Sequence, residues 1–293
     1  MMKIKLYGVR GSIASPGVGT VRYGGNTSCV SVEGKDGTHL VFDAGTGIRV
    51  LGDDIYLRQQ PLYLLLSHYH WDHIQGFPFF RPAYEAKQDI FLLSDHLSQS
   101  PKSILAQMAN PHFPVPSAAL KANIQELPIK HQTITIGEFQ ISTKATNHPD
   151  GGCAYRVDSA QGSFTYITDN ELTPPQTPTT AYEEWVEFAS GVDLFLHDAM
   201  YLDEELPMVH GWGHSLISQT LQLAVDADVK NTILFHHDPT RTDQQLDQIQ
   251  RSSRQWIKQK KPEMTVYVAR EGDTYGIKNN AVRRSSRSLS RKP

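Results

Sequence analysis

The chain has 293 residues, of which 39% are hydrophobic and 20% are charged. This balance is ordinary for a globular protein and leaves room for one large α/β domain or two small ones. No apolar run is long enough to span a bilayer, and the N-terminus lacks the apolar core of a signal peptide, so we expect a cytoplasmic protein. Two cysteines, Cys29 and Cys153, are too few for a disulfide framework.

The formal net charge of −3 conceals an asymmetry between the body of the chain and its end. Residues 281–293 contain five basic and no acidic side chains, so residues 1–280 carry a net charge of −8. Because an acidic body repels a polyanion, a large nucleic-acid substrate is disfavoured. The Ser/Arg-rich end, 279–293, is predicted to be a disordered tail behind an ordered domain of residues 1–278. An arm that binds nucleic acid is the alternative.

The first elements of the chain predict an antiparallel start. Alternating apolar residues indicate strands over 3–7 and 28–33, and a third strand over 39–42 follows after a glycine-rich turn. Asp43 ends the third strand and precedes a helix predicted over 48–59, which makes it a candidate helix N-cap.

A dense cluster of metal-binding side chains follows the next predicted strand, 62–66. His68, His70, Asp72 and His73 stand within six consecutive residues. Imidazole nitrogens suit zinc and iron, whereas a carboxylate suits harder ions. Alternation along an extended segment sends the first two histidines to one side, and Asp72 and His73 begin the next turn, so the spacing offers two pairs of ligands for two adjacent metals. A polar loop with chance histidines is the alternative, and this density of ligand types argues against it.

The pattern His68-x-His70-x-Asp72-His73 resembles the signature of the metallo-β-lactamase superfamily. The resemblance implies an α/β fold in the form of a four-layer αββα sandwich, which the two comparable halves of strands and helices in this chain would suit. It also implies that Asp43 lies beneath the metals and orients their ligands, as an alternative to the N-cap role.

The middle of the chain predicts strands whose ends carry single candidate ligands. By itself His148 would be a core or surface histidine, and Asp169 would be a turn residue. The resemblance implies instead that His148 completes the first metal site and that Asp169 bridges both metals. His96, His112 and His131 have no ligand-like neighbours and are expected to be structural. The elements predicted here are strands over 90–93, 124–127, 133–136, 139–143, 153–157 and 163–167, and a short helix over 101–109.

Two further candidates stand at element ends in the C-terminal half. A strand over 192–196 runs into Asp198, where ribonuclease Z and its phosphodiesterase relatives have the Glu of a His-Glu-Ala-Thr motif. His214 lies in a Gly-His-Ser sequence, and Ser215 is expected to cap the helix predicted over 216–226. The resemblance implies that His214 stabilises charge and protonates the leaving alcohol, and that Asp198 positions it; an ordinary histidine near a helix cap is the alternative. The remaining elements are predicted as helices over 182–190 and 242–260 and strands over 232–235 and 265–269.

The resemblance implies two divalent metal ions as cofactors, with zinc ahead of manganese or iron. His236 is chosen over its neighbour His237 from the spacing to the following proline, because adjacent strand residues point in opposite directions and only one can face the metals. A binuclear centre would lower the pKa of a bridging water from 15.7 to about 7. The implied ligands are His68, His70 and His148 for the first metal, Asp72, His73 and His236 for the second, and Asp169 between them.

These residues predict a binuclear metal-dependent hydrolase, with Asp72, His214 and Asp198 as its catalytic residues. His214 and Asp198 favour a phosphodiesterase that cleaves a small phosphodiester, linear or cyclic, with a metal-bridged hydroxide. A ribonuclease Z-like tRNA-processing endonuclease is the nearest alternative, although the sequence shows no long Gly-rich or basic insertion that could grip tRNA. A lactone or thioester hydrolase of the same fold and a metal-binding sensor without catalysis are the others. Dimers are common among the proteins that the chain resembles, which leaves a homodimer open.

Overall fold

The computed structural model describes residues 1–94, 104–109, 111, 113–129 and 133–285. The expectations for His96, His112 and His131, the start of the helix predicted over 101–109, and the end of the basic tail, 286–293, lie outside these ranges. Among the described residues no helix combines the length and apolarity that a bilayer crossing requires.

Two β-sheets form the centre of the molecule, and their strands, numbered along the chain, are β1 (Met2–Gly8), β2 (Cys29–Glu33), β3 (His39–Phe42), β4 (Leu62–Leu65), β5 (Asp89–Ser94), β6 (Asn123–Pro128), β7 (Ile134–Ile136), β8 (Phe139–Ala145), β9 (Cys153–Ser159), β10 (Gly162–Ile167), β11 (Leu194–Asp198), β12 (Asn231–Phe235), β13 (Thr265–Val268), β14 (Thr274–Lys278) and β15 (Ala281–Ser285). The first sheet has the order β15-β14-β1-β2-β3-β4-β5-β6, and the second has the order β13-β12-β11-β10-β9-β8-β7. Strands β3 to β6 and β10 to β13 pair in parallel, and the other pairs are antiparallel. Each sheet therefore joins an antiparallel half to a parallel half.

Helices cover the outer face of each sheet. The first helix buries the stripe Ile48, Leu51 and Ile55 in the apolar cluster outside the first sheet, the i, i+3, i+7 spacing of an amphipathic helix. Trp185, Leu221 and other apolar residues of three later helices join the cluster outside the second sheet. The α-helices are α1 (Gly47–Ile55), α2 (Trp71–Ile74), α3 (Tyr182–Ala189), α4 (Leu206–Val209), α5 (Ile217–Asp226) and α6 (Asp243–Lys260).

The main core lies between the two sheets. Phe42 of β3 packs against Tyr155, Phe164 and Tyr166 of the facing sheet, with ring centroids 5.2–6.0 Å apart. These aromatic side chains are fully buried and supply much of the apolar area that holds the sheets together. The result is an αββα sandwich, which confirms the predicted fold class.

Two predicted helices differ from the structure. The helix expected over 48–59 ends at Ile55, because the buried stripe ends there and Leu57, the next apolar side chain, is exposed. In the segment predicted to be helical over 101–109, the described part forms a 3-10 helix at Ile104–Met108.

Ordered structure continues past Lys278, into the segment expected to be a tail. Asn279 and Asn280 both have positive φ angles, 49° and 61°, which is the requirement of a tight hairpin turn. Strand β15 then pairs antiparallel with β14. Arg284 donates from Nε to Asp273 Oδ2 over 3.0 Å, and that carboxylate is buried. One of the tail arginines thus neutralises a buried charge and holds the edge strand in place.

Candidate metal centre and active site

Six strands end at the same edge of the sandwich and place the candidate residues there. Parallel strands deliver the residues that follow them to one edge, which is why ligands far apart in the chain can meet. The residues concerned are Asp43 after β3, His68, His70, Asp72 and His73 after β4, His148 after β8, Asp169 after β10, Asp198 at the end of β11 and His236 after β12.

The first group of candidate ligands consists of His68, His70, His148 and Asp169. One ligand atom from each lies within 4.8 Å of all the others. His148 Nε2 is 3.0 Å from His70 Nδ1, and Asp169 Oδ2 is 3.6 Å from His68 Nε2 and 3.7 Å from His148 Nε2. These are the residues predicted for the first metal together with the predicted bridge.

The second group consists of Asp72, His73, His236 and the same Asp169. His73 Nε2 lies 3.1 Å from both Asp72 Oδ2 and Asp169 Oδ1. His236 Nε2 lies 3.4 Å from Asp169 Oδ1 and 3.7 Å from Asp72 Oδ2. The structure therefore brings together the residues predicted for the second metal.

Asp169 divides its two oxygens between the groups. Its Oδ2 faces the first group and its Oδ1 faces the second. A carboxylate in this position can contribute one oxygen to each of two neighbouring cations and offset their mutual repulsion. The backbone of Asp169 has a φ of 50°, a conformation that costs energy for a residue with a side chain and is typical of functional sites.

Three buried nitrogens at the centre of the cluster have no hydrogen-bond partner in the described part of the chain. They are the Nε2 atoms of His68, His73 and His236. Leaving one such atom unsatisfied costs about 1–3 kcal/mol, so three that converge on one place need another explanation. An imidazole nitrogen with a free lone pair is a metal ligand, and the donor set of nitrogen and carboxylate oxygen fits zinc, manganese or iron.

The charges of the site also favour cations. Burial holds the pKa of His68 well below its usual value and lowers that of His148 to about 4, which keeps both in the neutral form that a metal ligand requires. Burial acts on His73 in the same direction, but the carboxylates of Asp169, Asp72 and Asp43 outweigh it and raise its pKa. The carboxylates around His73 thus give the second group a negative charge that a divalent ion would offset.

Asp43 lies behind the second group and orients it. Its Oδ2 accepts a hydrogen bond from His73 Nδ1 over 2.7 Å and another from the Tyr166 hydroxyl over 2.7 Å. Its Oδ1 accepts from the backbone N–H of Ser67 over 2.7 Å. Asp43 does not cap α1, whose N-cap is Thr46. Of its two alternative roles, the structure supports the one that orients ligands: it fixes the tautomer that leaves His73 Nε2 free.

The other histidines have similar supports. His148 Nδ1 donates to the carbonyl of Gly213 over 3.0 Å. His236 Nδ1 lies 3.1 Å from the hydroxyls of both Ser28 and Thr168. Each of these contacts occupies the nitrogen that faces away from the cluster and so holds the ring with its other nitrogen inward.

The choice between His236 and His237 is decided by the backbone. His236 has a φ of 60°, which turns the chain as it leaves β12 and sends this ring into the cluster. His237 points the opposite way and donates from Nε2 to the Ala269 carbonyl over 2.9 Å. The preferred residue, His236, is therefore the one that lies in the site.

His214 and Asp198 form a pair beside the cluster. His214 Nδ1 lies 2.6 Å from Asp198 Oδ2, and the ring stacks on His236 with centroids 5.1 Å apart. Burial alone would lower the pKa of His214, but the Asp198 carboxylate outweighs burial and raises the pKa to about 9. The pair also belongs to a third group of ligand atoms, with Asp169 and His236, that lie within 4.8 Å of one another. His214 is thus placed either to donate a proton or to bind a metal.

Ser215 was expected to cap the following helix, and the structure shows that it does not. The N-cap of α5 is Leu216, and the Ser215 hydroxyl donates instead to the Asn170 carbonyl over 2.6 Å. The hydroxyl links the His214 loop to the segment that follows Asp169. The prediction was wrong because this tertiary hydrogen bond takes the place of the local bond that a helix cap would make.

The N-terminal loop contributes contacts that the sequence did not reveal. The backbone N–H of Ser12 donates to Asp72 Oδ2 over 2.8 Å. A Cβ atom on Gly11 would lie 2.6 Å from the ring of His236, so only glycine permits this close approach. The Gly11-Ser12 pair was visible in the sequence, but nothing local linked it to a ligand more than two hundred residues away.

Comparison with known proteins identifies relatives of this site and fold. The family model described as a beta-lactamase superfamily domain matches residues 38–237. The ribonuclease Z of Haloferax volcanii is 22% identical over 251 residues, an alignment that covers 69% of this chain and 76% of that protein. The ribonuclease Z of Halalkalibacterium halodurans is 36% identical over 58 residues, which cover 20% of this chain and only 19% of that protein.

Solved structures share the fold at low sequence identity. The metallo-beta-lactamase fold protein YhfI from Bacillus subtilis superposes with a TM-score of 0.68 at 18% identity, covering 94% of this chain and 100% of that one. A diphosphatase of the PhnP family superposes with a TM-score of 0.65 at 16% identity, covering 95% of this chain and 98% of that one. At these identities the similarity concerns the fold alone.

Proposed function

The chain belongs to the metallo-β-lactamase superfamily, and from that premise we propose that it is a binuclear metal-dependent hydrolase that cleaves a small phosphodiester. The observation that carries the proposal is the convergence of three imidazole nitrogens that make no hydrogen bond, the Nε2 atoms of His68, His73 and His236, on the two oxygens of Asp169.

Two divalent ions are the proposed cofactors, and zinc is the first choice because imidazole nitrogens dominate the donor set. When bound, such ions supply hydroxide at neutral pH by lowering the pKa of water. The residues proposed to hold them are His68, His70 and His148 at one position, Asp72, His73 and His236 at the other, and Asp169 at both.

The chain's own residues can then act on the leaving group. His214 is held by Asp198, whose carboxylate favours the protonated form of the imidazole and raises its pKa. From Nε2 it can hydrogen-bond a phosphate oxygen and pass its proton to the departing alkoxide, while the Asp198 carboxylate stabilises the imidazolium and fixes its orientation. Ser12 and Asp43 hold the carboxylate of Asp72 and the ring of His73 from behind.

A small substrate is favoured over a polynucleotide by the charge of the molecule. The body of the chain is acidic, and binding to a phosphate backbone depends on clustered Lys and Arg. A tRNA-processing endonuclease is the second candidate, and the curated ribonuclease Z relatives support it. The two candidates share the metal centre and differ in the size of the substrate.

The proposal is tested by assaying the purified protein with bis(p-nitrophenyl) phosphate, after chelation and after reconstitution with zinc, manganese or iron. A lactone, a thioester and a precursor tRNA with a 3′ trailer are assayed in parallel. Metal-dependent cleavage of the diester in preference to the lactone and thioester is expected. Preferential cleavage of the lactone or thioester would overturn the role of His214 and Asp198, and efficient trimming of the tRNA would replace the first candidate by the second. No turnover on any of the four would favour a metal-binding sensor.

A further inference from the structure

Glu171 is a buried carboxylate two residues beyond Asp169 that neither metal group contains. Its Oε1 accepts a hydrogen bond from the backbone N–H of Gly211, and its Oε2 accepts one from the backbone N–H of Gly213, both over 2.9 Å. Its Oε1 also lies 3.8 Å from His210 Nε2. Burying a carboxylate is costly unless hydrogen bonds or an opposite charge compensate it, and here two charge-assisted bonds from backbone N–H groups do so.

The two N–H groups belong to the loop that carries His214. In the same loop the carbonyl of Gly213 accepts the hydrogen bond from His148 Nδ1. Gly213 has a φ of 85°, and a Cβ atom there would lie 2.2 Å from that nitrogen, so the loop is pressed directly against His148. Glu171 therefore holds the backbone of residues 211–213 by two hydrogen bonds. This backbone supports the candidate metal ligand His148 and continues directly into His214.

The segment around Glu171 is itself tied to the same elements. The backbone N–H of Glu171 donates to the Asn147 carbonyl over 2.9 Å, and the side chain of Asn170 accepts from the backbone N–H of Asn147 over 3.0 Å. The Ser215 hydroxyl donates to the Asn170 carbonyl. Asn147, which precedes His148, and Ser215, which follows His214, are thus both hydrogen-bonded to the segment 170–171 that carries the Glu171 carboxylate.

We propose that Glu171 is a positioning residue that sets His214 against the metal centre, and that it acts through the backbone of Gly211 and Gly213. The inference rests on the proposed hydrolase function. The rings of His148 and His214 lie 5.2 Å apart, and a general acid loses efficiency steeply when it moves from its proton acceptor. The Glu171 carboxylate keeps the distance between these two rings fixed. It also orients the Gly213 carbonyl, which accepts from His148 Nδ1 and so selects the tautomer of His148.

The test compares Glu171→Ala with Glu171→Gln, which keeps one acceptor oxygen. Asp243→Asn is the matched control, because Asp243 is also buried and also accepts hydrogen bonds from two backbone N–H groups, those of Arg22 and Tyr23. Rates are measured at saturating zinc on methyl p-nitrophenyl phosphate and methyl phenyl phosphate, which differ only in the leaving group. Zinc affinity is measured separately by competition with a chromophoric chelator.

Loss of a positioned general acid affects the poorer leaving group more. We expect Glu171→Ala to lower kcat on the phenyl ester about 100-fold and on the p-nitrophenyl ester less than about 10-fold, with KM little changed. Zinc affinity should fall about 10-fold through the loosened His148. Glu171→Gln should lie between Glu171→Ala and wild type, and Asp243→Asn should alter neither the ratio of the two rates nor the zinc affinity.

A double variant makes the test sharper. If Glu171 acts through His214, Glu171→Ala should cause no further loss on the phenyl ester in a His214→Ala background at saturating zinc. Equal losses on both esters, full additivity in the double variant, or the same response from Asp243→Asn would overturn the proposal. Should Glu171→Ala fail to fold, Glu171→Gln carries the comparison. If wild type cleaves neither ester, the phosphodiesterase function fails, and the chelator competition still tests whether Glu171 supports His148.

Discussion

Replacement of His214 by alanine separates the chemistry of leaving-group protonation from the integrity of the metal centre. The ring is nearly buried, held by Asp198 at 2.6 Å and stacked on His236 at 5.1 Å. The variant removes the imidazole and leaves the seven proposed ligands untouched. We therefore expect turnover to fall while two equivalents of metal remain bound.

The expected magnitude follows from the role of the group. Proton transfer by a well-positioned side chain is worth about 10²- to 10⁴-fold, or about 3–5 kcal/mol of barrier at 1.36 kcal/mol per tenfold change. For an alkoxide leaving group we expect the loss of rate in His214→Ala to lie near 10⁴-fold, because Asp198 fixes the orientation of the imidazole and burial removes competing water. For p-nitrophenolate, which is a good leaving group without protonation, we expect the loss of rate to lie near 10²-fold.

The assay measures kcat and KM for an alkyl and a p-nitrophenyl diester, and metal content by emission spectrometry on the same samples. Met208→Ala is the control for a large-to-small change nearby, because Met208 lies in α4 just before the loop of His214 and its side chain is exposed. It should keep both turnover and metal content close to those of wild type.

Loss of a metal equivalent from His214→Ala would refute this reasoning. His214 would then be a ligand in its own right, as the third group of converging atoms allows. A loss of turnover below about tenfold on the alkyl ester would also contradict the role of proton donor.

Three further predictions concern the bridge, the edge strand and a buried histidine. Asp169→Asn should lower the bound metal from two equivalents to one or none, because the negative charge that the two ions share is lost. Two equivalents of metal, measured by emission spectrometry, would contradict the bridging role of Asp169. Arg284→Ala should lower the free energy of unfolding, measured by urea titration, by about 3 kcal/mol, because Asp273 stays buried without its cation. The control is Arg283→Ala, on the exposed face of the same strand, which should change the free energy of unfolding by less than about 0.5 kcal/mol. Burial lowers the pKa of His39 from 6.5 to about 4, so the unfolded chain takes up a proton first as the pH falls. Stability present above pH 6.5 should decline by about 3 kcal/mol on the way to pH 4, and His39→Gln should flatten that decline; parallel pH profiles of the two proteins would show that His39 does not contribute.

The candidate ligands could be predicted because the chemistry of a metal site restricts residue type. His68, His70, Asp72 and His73 are crowded within six positions, a density that has few other uses. His148 and Asp169 were recognisable only by their places at strand ends within a family pattern. The positions of most strands along the chain could likewise be inferred from alternation and turns, because both signals are local, whereas the order of strands in the two sheets could not.

Element boundaries and supporting contacts depend on partners far away in the chain. Ser215 had the residue type of a helix cap, but its hydroxyl is bound to the Asn170 carbonyl. Composition predicts a disordered tail over 279–293, yet in its described part Arg284 donates a hydrogen bond to the buried carboxylate of Asp273. In each case a hydrogen bond to another element of the fold decides the outcome against a local preference, which for a helix cap is typically worth about 1 kcal/mol.

By itself the sequence determined which side chains could hold metals and that their positions fall at strand ends, because residue type and alternation are properties of the chain. Only the tertiary structure decided which oxygen of Asp169 faces which group, that His236 rather than His237 turns inward, and that Glu171 holds the His214 loop. These outcomes depend on backbone angles and on distances between segments that are remote in sequence, and no local pattern encodes such distances.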